Sequence, residues 1–141
     1  MIKFKYMGEP IGKGRPRVTA RGGKFAHAYT PKRTKEFEDA IRFEFMASNC
    51  EKTPVYGKGT PLQARMTFAF SVPKSYSKKK RTACLTGQLA HTVKPDTDNI
   101  VKSVLDALSE AAFVDDSQVI KIYAEKVYAE ESYVEVEISE L

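Results

Sequence analysis

The chain has 141 residues, of which 42% are hydrophobic and 11% aromatic. This length and composition are typical of one globular domain and exclude a disordered or fibrous protein. The apolar runs are interrupted by Lys, Glu or Pro well short of the roughly 18 residues that a membrane span needs. The first ten residues alternate charged and apolar side chains without the continuous apolar stretch of an export signal, so we do not expect one. The two cysteines and two histidines are too few and too scattered for a disulfide framework or a structural zinc site. We therefore expect a cytoplasmic protein that does not associate with membranes.

Charge is segregated along the chain. Residues 1–35 carry ten Lys or Arg against one acidic residue, whereas residues 96–141 carry three Lys against twelve acidic residues. The net charge of +5 therefore combines a basic front with an acidic back. Such a division favours a polyanion as partner for the front, nucleic acid first, over charge scattered evenly across the surface.

The first third of the chain predicts a strand, a loop or open hairpin, and a helix. Apolar residues alternate with lysines at Ile2, Phe4 and Tyr6, as in a half-buried strand. The Gly-, Pro- and Arg-rich stretch over 8–24 predicts a loop or an open hairpin, with a short return strand over 24–29. Helical spacing of apolar residues then predicts a helix over about 32–48.

The remainder predicts a further strand, a helix and a closing pair of strands. Residues 62–72 alternate as a strand, and a basic run over 73–83 is expected to begin a short helix or a flexible loop. A second main helix is expected over about 97–112, and strands over 119–128 and 132–138 are separated by a short polar turn, which suggests a hairpin. No repeat or composition break divides the chain. We predict a single α+β domain over residues 1–141 with a mixed β-sheet, two main helices and a C-terminal β-hairpin.

The most informative segment is the acidic one over 94–122. Pro95 ends any preceding helix, and Asp96 or Thr97 can cap the helix that follows. Asp98, Lys102 and Asp106 are spaced four residues apart and therefore form one polar stripe on that helix. Asp115 and Asp116 then stand directly before a strand.

These residue types favour hard-oxygen chemistry. Several carboxylates with one lysine and no histidine cluster suit Mg²⁺ or Mn²⁺. Each element also has an ordinary structural interpretation: an aspartate at a helix start caps free N–H groups, Asp98 and Lys102 can form a surface ion pair, and Asp115 and Asp116 can belong to a turn. From spacing alone, a metal site and these structural roles stay equally open.

The order of these elements closely resembles a known signature. Three segments carry the resemblance: Lys94-Pro95-Asp96-Thr97-Asp98-Asn99-Ile100-Val101-Lys102, then Leu105-Asp106-Ala107-Leu108, then Asp115-Asp116-Ser117-Gln118-Val119. Together they are similar to the signature of the RusA family of Holliday-junction resolvases, which are crossover junction endodeoxyribonucleases. The match is dense over about 91–125 and looser at the front, through the Gly-x-Pro…Lys-Gly-Arg-Pro-Arg stretch over 8–17.

The resemblance implies a function and a set of residues. Asp96, Asp98 and Asp116 fall on the family's essential carboxylates, which would hold Mg²⁺, and Lys102 falls on its essential lysine. Members act in recombination and repair as Mg²⁺-dependent homodimers that nick four-way DNA junctions in symmetric pairs, and they are often carried by phages and prophages. Asp115 would either assist the third carboxylate or only shape the turn. Asp106 is expected to form an ion pair or to contact the metal ligands without binding the metal itself.

The basic front supplies candidate DNA contacts. Gly12 and Gly14 allow the backbone of the Lys-Gly-Arg-Pro-Arg stretch to approach a phosphate closely, and positive charge loads the first turn of the predicted helix at 32. The candidate residues are Lys13, Arg15, Arg17, Lys32 and Arg33. A second basic cluster contains Lys74, Lys78, Lys79, Lys80 and Arg81, for which a solvated loop is an equal alternative.

Three other functions compete with the junction resolvase. A nuclease with the same site could act on flaps or replication forks. A non-catalytic DNA-binding module is suggested by the similarity of Lys-Gly-Arg-Pro-Arg to the core of minor-groove AT-hook peptides. An acidic-faced interaction protein would show neither Mg²⁺ dependence nor salt-sensitive DNA binding.

Overall fold

The computed structural model describes residues 1–14, 17–21, 25–29, 31–49 and 52–141, the side chains of 17–21 and 25–29 excepted. The elements in chain order are β1 (Ile2–Met7), β2 (Arg17–Arg21), β3 (Phe25–Tyr29), α1 (Lys32–Ser48), β4 (Leu62–Ser71), α2 (Lys78–Leu85), α3 (Thr97–Leu108), a 3₁₀ turn (Asp116–Gln118), β5 (Val119–Ala129) and β6 (Tyr133–Glu140). The predicted α+β class is confirmed.

Four of the strands form one mixed sheet in the order β1-β6-β4-β5. β4 is antiparallel to β6 and parallel to β5, and β6 is antiparallel to β1. The predicted C-terminal hairpin is therefore wrong, although both of its strands and the short turn between them are present. β5 and β6 lie on opposite sides of β4 and are not hydrogen-bonded to each other.

One face of this sheet carries the core. Alternate residues of the central strands point to that face, and α1 and α3 pack side by side against it. α1 contributes Phe37, Ile41 and Phe45, which recur at the spacing of one helix face. α3 contributes its predicted apolar stripe, including the fully buried Ile100, Val104 and Leu108. The packing of α3 fixes which way its polar stripe faces.

α3 ends four residues earlier than the apolar pattern predicts. The helix stops at Leu108, and Glu110 takes a left-handed backbone conformation with a φ of 69°. Ala111, Ala112 and Phe113 remain buried, but they do so in an irregular turn that leads toward the Asp115–Asp116 pair. Because these apolar residues are buried, their pattern in the sequence resembles that of a further helical turn.

The peripheral elements agree with the sequence expectations. β2 and β3 pair antiparallel as the expected open hairpin. The basic run after Pro73 forms the short helix α2, whose first turn is capped by the Ser77 hydroxyl accepting from the Lys80 N–H. Among the residues that the structure describes, no helix is long and apolar enough to cross a membrane.

Candidate active site

The site begins at the N-terminus of α3. Asp96 occupies the cap position, but its carboxylate makes no capping hydrogen bond. Both of its oxygens instead accept from the Lys94 ammonium at 2.8 Å. Asp98 lies in the first turn of α3 with an exposed side chain, and Lys102 follows one turn later. The expected polar stripe therefore starts at the solvent-facing end of the helix.

The segment that leads into α3 is held by the sheet. Lys126, on β5, donates from Nζ to the carbonyl oxygens of Val93 at 2.7 Å and Pro95 at 3.0 Å. These carbonyls flank Lys94 and directly precede Asp96. A lysine of the sheet thus sets the position of the first candidate carboxylate, although the sequence gives no signal for this role.

The second part of the site is the turn before β5. The Asp115 carboxylate caps the 3₁₀ turn, accepting from both the backbone N–H and the hydroxyl of Ser117. These two hydrogen bonds, the hydroxyl first, lower the pKa of Asp115 below its ordinary value. Shaping the turn is one of the two roles that the sequence leaves open for Asp115, and its neighbour Asp116 lies half-buried beside α3.

Gln118 fastens this turn to the rest of the molecule. Its side-chain oxygen accepts from the backbone N–H groups of Val114 and Asp115, both at 3.0 Å. Its amide nitrogen donates to the carbonyl oxygens of Gly57 at 2.8 Å and Thr60 at 3.1 Å. The residue is 8% exposed. Gln118 belongs to the motif in the sequence, but its partners are distant in the chain and could not be anticipated.

Lys102 joins the two parts. Its Nζ lies 3.1 Å from Oδ1 of Asp106 and 3.9 Å from Oδ2 of Asp116. The lysine of α3 and the carboxylate of the 3₁₀ turn, separated by fourteen positions in the sequence, therefore meet at one surface. The structure brings Lys102 together with Asp106 and Asp116, whereas Asp98 lies one helical turn before Lys102 and Asp96 is paired with Lys94.

The candidate DNA contacts divide into three groups. Lys13 is largely engaged in ion pairs: its Nζ contacts Glu38 at 2.6 Å and Asp106 at 3.0 Å. Lys32 and Arg33 lie on the first turn of α1 with strongly exposed side chains, paired loosely with Glu36 at 3.8 Å and Glu9 at 3.2 Å. Arg15 and the side chain of Arg17 lie outside the described residues.

A cleft of about 680 Å³ is lined by one of the candidate carboxylates, Asp96. Its walls are the 9–14 segment, the start of α1 and the start of α3, so that Arg33, Lys94 and Asp96 all line it. Thr34 holds the 12–14 segment in place, because its hydroxyl accepts from the Gly14 N–H at 2.9 Å and donates to the Gly12 carbonyl at 3.4 Å. The cleft connects Arg33 of α1 with the N-terminus of α3.

Comparison with known proteins supports the resemblance seen in the sequence. The sequence model of the family "Endodeoxyribonuclease RusA" matches residues 7–139. The chain belongs to the RusA family. It is 39% identical to "Uncharacterized protein YqaN" of Bacillus subtilis (strain 168) over 142 aligned residues, which cover 99% of this chain and 96% of that protein. It is 31% identical to "Crossover junction endodeoxyribonuclease rusA" of Lactococcus phage r1t over 87 residues, 61% of this chain and 60% of the phage protein.

The donor set of this RusA-family site suits a divalent cation chemically. Asp96, Asp98 and Asp116 offer carboxylate oxygens, the ligands that Mg²⁺ and Mn²⁺ prefer. Within the described residues, however, no group of three or more His, Cys, Asp or Glu side chains is close enough to hold a metal ion. Asp96 is turned toward Lys94, whose ammonium neutralises it. The residue types fit the ion, and the arrangement described does not assemble all three around one point.

Proposed function

We propose that this chain is a Mg²⁺-dependent, structure-selective endodeoxyribonuclease that resolves four-way DNA junctions by paired, symmetric nicks. Membership of the RusA family supports nuclease activity. The observation that carries the proposal is the meeting of α3 with the 3₁₀ turn, where Lys102 lies 3.9 Å from Asp116 and one turn from Asp98. Carboxylates and an amine at one exposed surface are the groups that phosphodiester hydrolysis needs.

Each side chain has a proposed role. Asp96, Asp98 and Asp116 would hold Mg²⁺ or Mn²⁺, and Asp96 would exchange its Lys94 partner for the ion. The bound ion would stabilise charge on the scissile phosphate and lower the pKa of a water molecule. The Lys102 ammonium, 55% exposed, is placed to contact the scissile phosphate or the leaving oxygen. The described part of the site contains no His or Tyr beside these groups, which favours water as the nucleophile.

The DNA would approach along the basic side of the cleft. Lys32 and Arg33 carry their charge on exposed side chains, and their ion pairs with Glu36 and Glu9 are weak enough to exchange for phosphate contacts. Arg15 and Arg17 would extend the same surface. Contacts of this kind give affinity and salt dependence but no sequence information, so preference for a junction would come from its shape.

Paired nicks require two sites, which we propose are supplied by a homodimer. One chain presents a single constellation of this kind among its described residues, and a two-fold pair of chains would match a branched DNA with approximate two-fold symmetry. Sedimentation at micromolar concentration tests this directly. A monomer that still makes both nicks would overturn the dimer.

The proposal is tested by separating binding from cleavage. Asp96→Asn, Asp98→Asn and Asp116→Asn are each expected to abolish nicking of a four-way junction while binding is retained or becomes tighter, because the variants remove negative charge. Asp39→Asn, an exposed aspartate of α1 paired with Lys35, is the matched control and should nick normally. Loss of binding in all three folded variants would contradict the assignment.

The substrate is tested by comparing four-way, three-way and flap DNA. The proposal predicts paired nicks on the four-way junction and slower cleavage of the others. Faster cleavage of flaps or forks would identify a nuclease with the same site and another branched substrate. Tight binding with no cleavage on any substrate would favour the non-catalytic DNA-binding module.

A further inference from the structure

A row of alternating charges runs from a half-buried position between α1 and α3 into the candidate active site. Glu38 on α1 contacts Lys13 at 2.6 Å, and Lys13 contacts Oδ2 of Asp106 at 3.0 Å. The other oxygen of Asp106, Oδ1, contacts Lys102 at 3.1 Å. Each carboxylate oxygen of Asp106 therefore contacts a different lysine: Lys13, which is the less exposed, and Lys102, which lies at the site.

Burial decreases steadily along this row. The side chains of Glu38, Lys13 and Asp106 are 17%, 21% and 26% exposed, and that of Lys102 is 55% exposed. Ion pairs strengthen as water is excluded. The Glu38–Lys13 pair is therefore the more strongly held one, and the Lys102 side chain is the freest to move. The row is electrically neutral when all four groups are charged. The row therefore places the Lys102 amine at the site, and none of the less exposed charges is left without a partner of opposite charge.

The inner lysine is fixed by its backbone as well as by its partners. The Lys13 N–H donates to the Asn99 carbonyl of α3 at 3.0 Å. Gly12 lies so close to α3 that an added Cβ would come within 3.2 Å of both Asn99 and Pro95. Burial disfavours the charged form of Lys13, but hydrogen bonds to Glu38 and Asp106 outweigh it and raise its pKa. The amine is thus charged and held by ion pairs to α1 and α3, and Lys13 is also one of the residues that line the cleft.

Asp106 links the position of Lys13 to that of Lys102. With Lys13 on one oxygen, Asp106 is oriented and partly neutralised, and its remaining oxygen holds Lys102 within 3.9 Å of Asp116. Without Lys13, Asp106 would be free to rotate and to draw Lys102 fully to itself. The repulsion between Glu38 and Asp106 would also be uncompensated.

We propose that Lys13 is a positioning residue rather than a DNA contact: together with Glu38 and Asp106 it holds Lys102 where the reaction needs it. This inference rests on the proposed nuclease function. It differs from the sequence prediction, which places Lys13 among the DNA-binding residues with Arg15 and Arg17.

The test separates turnover from binding. For Lys13→Met, kcat on a four-way junction, normalised to the folded fraction, is expected to fall about 10- to 100-fold, as for a misplaced catalytic group. KM, the Kd for the junction in EDTA and the slope of log Kd against log salt are expected to stay unchanged. Lys13→Arg, which keeps the charge, should recover part of kcat. Lys3→Met, at an exposed pair on the far face of the sheet, is the matched control and should match the wild type.

Coupling within the row gives a second readout. The double variant Lys13→Met/Asp106→Asn is expected to have the kcat of Asp106→Asn alone, because both substitutions act through the same contact. Independent, multiplicative losses would show that Lys13 does not act through Asp106. Glu38→Gln is the milder variant if Lys13→Met does not fold, and it should lower kcat with binding unchanged.

Two results would overturn the inference. A weaker Kd with a salt slope reduced by about 0.9 would make Lys13 a phosphate contact, as the sequence predicts. A lower melting temperature with an unchanged kcat would make the row purely structural. Failure of the proposed function itself is seen separately, because the wild-type protein would then nick no junction in Mg²⁺.

Discussion

Replacing Gln118 tests whether the turn that carries Asp116 is fastened by a single side chain. Gln118→Leu keeps the size of the residue but removes four hydrogen bonds to Val114, Asp115, Gly57 and Thr60. A neutral hydrogen bond contributes about 1 kcal/mol net, and some of the released groups can reach water, so we expect a loss of about 2–4 kcal/mol in the free energy of unfolding. For a chain of this size that corresponds to a melting temperature lower by roughly 6–12 °C.

Urea unfolding followed by circular dichroism measures this loss, since a domain of this length is expected to unfold in two states. Gln118→Glu should also be less stable than the wild type, because a carboxylate can still accept from the two N–H groups but cannot donate to the two carbonyls and brings an unpaired charge to a buried position. The exposed Gln88→Leu is the matched control and should change stability by less than about 0.5 kcal/mol. A Gln118→Leu protein as stable as this control would refute the reasoning.

Two further predictions concern stability. Arg42, on α1, donates to the carbonyls of Ala107 at 2.9 Å and Ser109 at 3.1 Å, at the C-terminal end of α3. Arg42→Ala should therefore lower the free energy of unfolding by about 1–2 kcal/mol in urea titrations. An unchanged free energy of unfolding would contradict a capping role for Arg42. His91 stacks on Phe70 with ring centroids 4.0 Å apart, and burial, reinforced by Lys126, lowers its pKa from the ordinary 6.5. Because the unfolded chain then binds the proton more readily, stability should fall as the pH drops below about 6.5, and His91→Phe should remove that component; parallel pH curves for the two proteins between pH 7 and 5 would contradict it.

The sequence predicts the elements of this fold better than their pairing. The apolar spacing places α1 at its observed limits, because the helix buries one regular stripe and is followed by a loop rich in Gly and Pro. Whether β5 pairs with β6 could not be judged in the same way, and the two strands prove not to be neighbours. Alternation and a short turn specify two adjacent strands, whereas the insertion of β4 between them depends on long-range hydrogen bonds.

The candidate site shows the same division between local and long-range information. Asp98, Lys102 and Asp106 lie on one stripe because helical geometry alone determines it. The ion pairing of Lys13 depends on Glu38, which is 25 residues away, and the role of Lys126 depends on carbonyls more than 30 residues away. Such contacts leave no pattern in the sequence, so the ion pairs of a basic residue in a Gly-rich loop could not be anticipated.

We propose that the carboxylates of α3 and the 3₁₀ turn make this protein a metal-dependent junction nuclease. The most direct measurement is nicking of a synthetic four-way junction and a matching linear duplex, in Mg²⁺ and in EDTA, by the wild type and Asp98→Asn. We predict paired nicks on the junction in Mg²⁺ by the wild type, and none in EDTA, on the duplex or by the variant. Tight junction binding without cleavage by the wild type, or equal cleavage by Asp98→Asn, would contradict the claim.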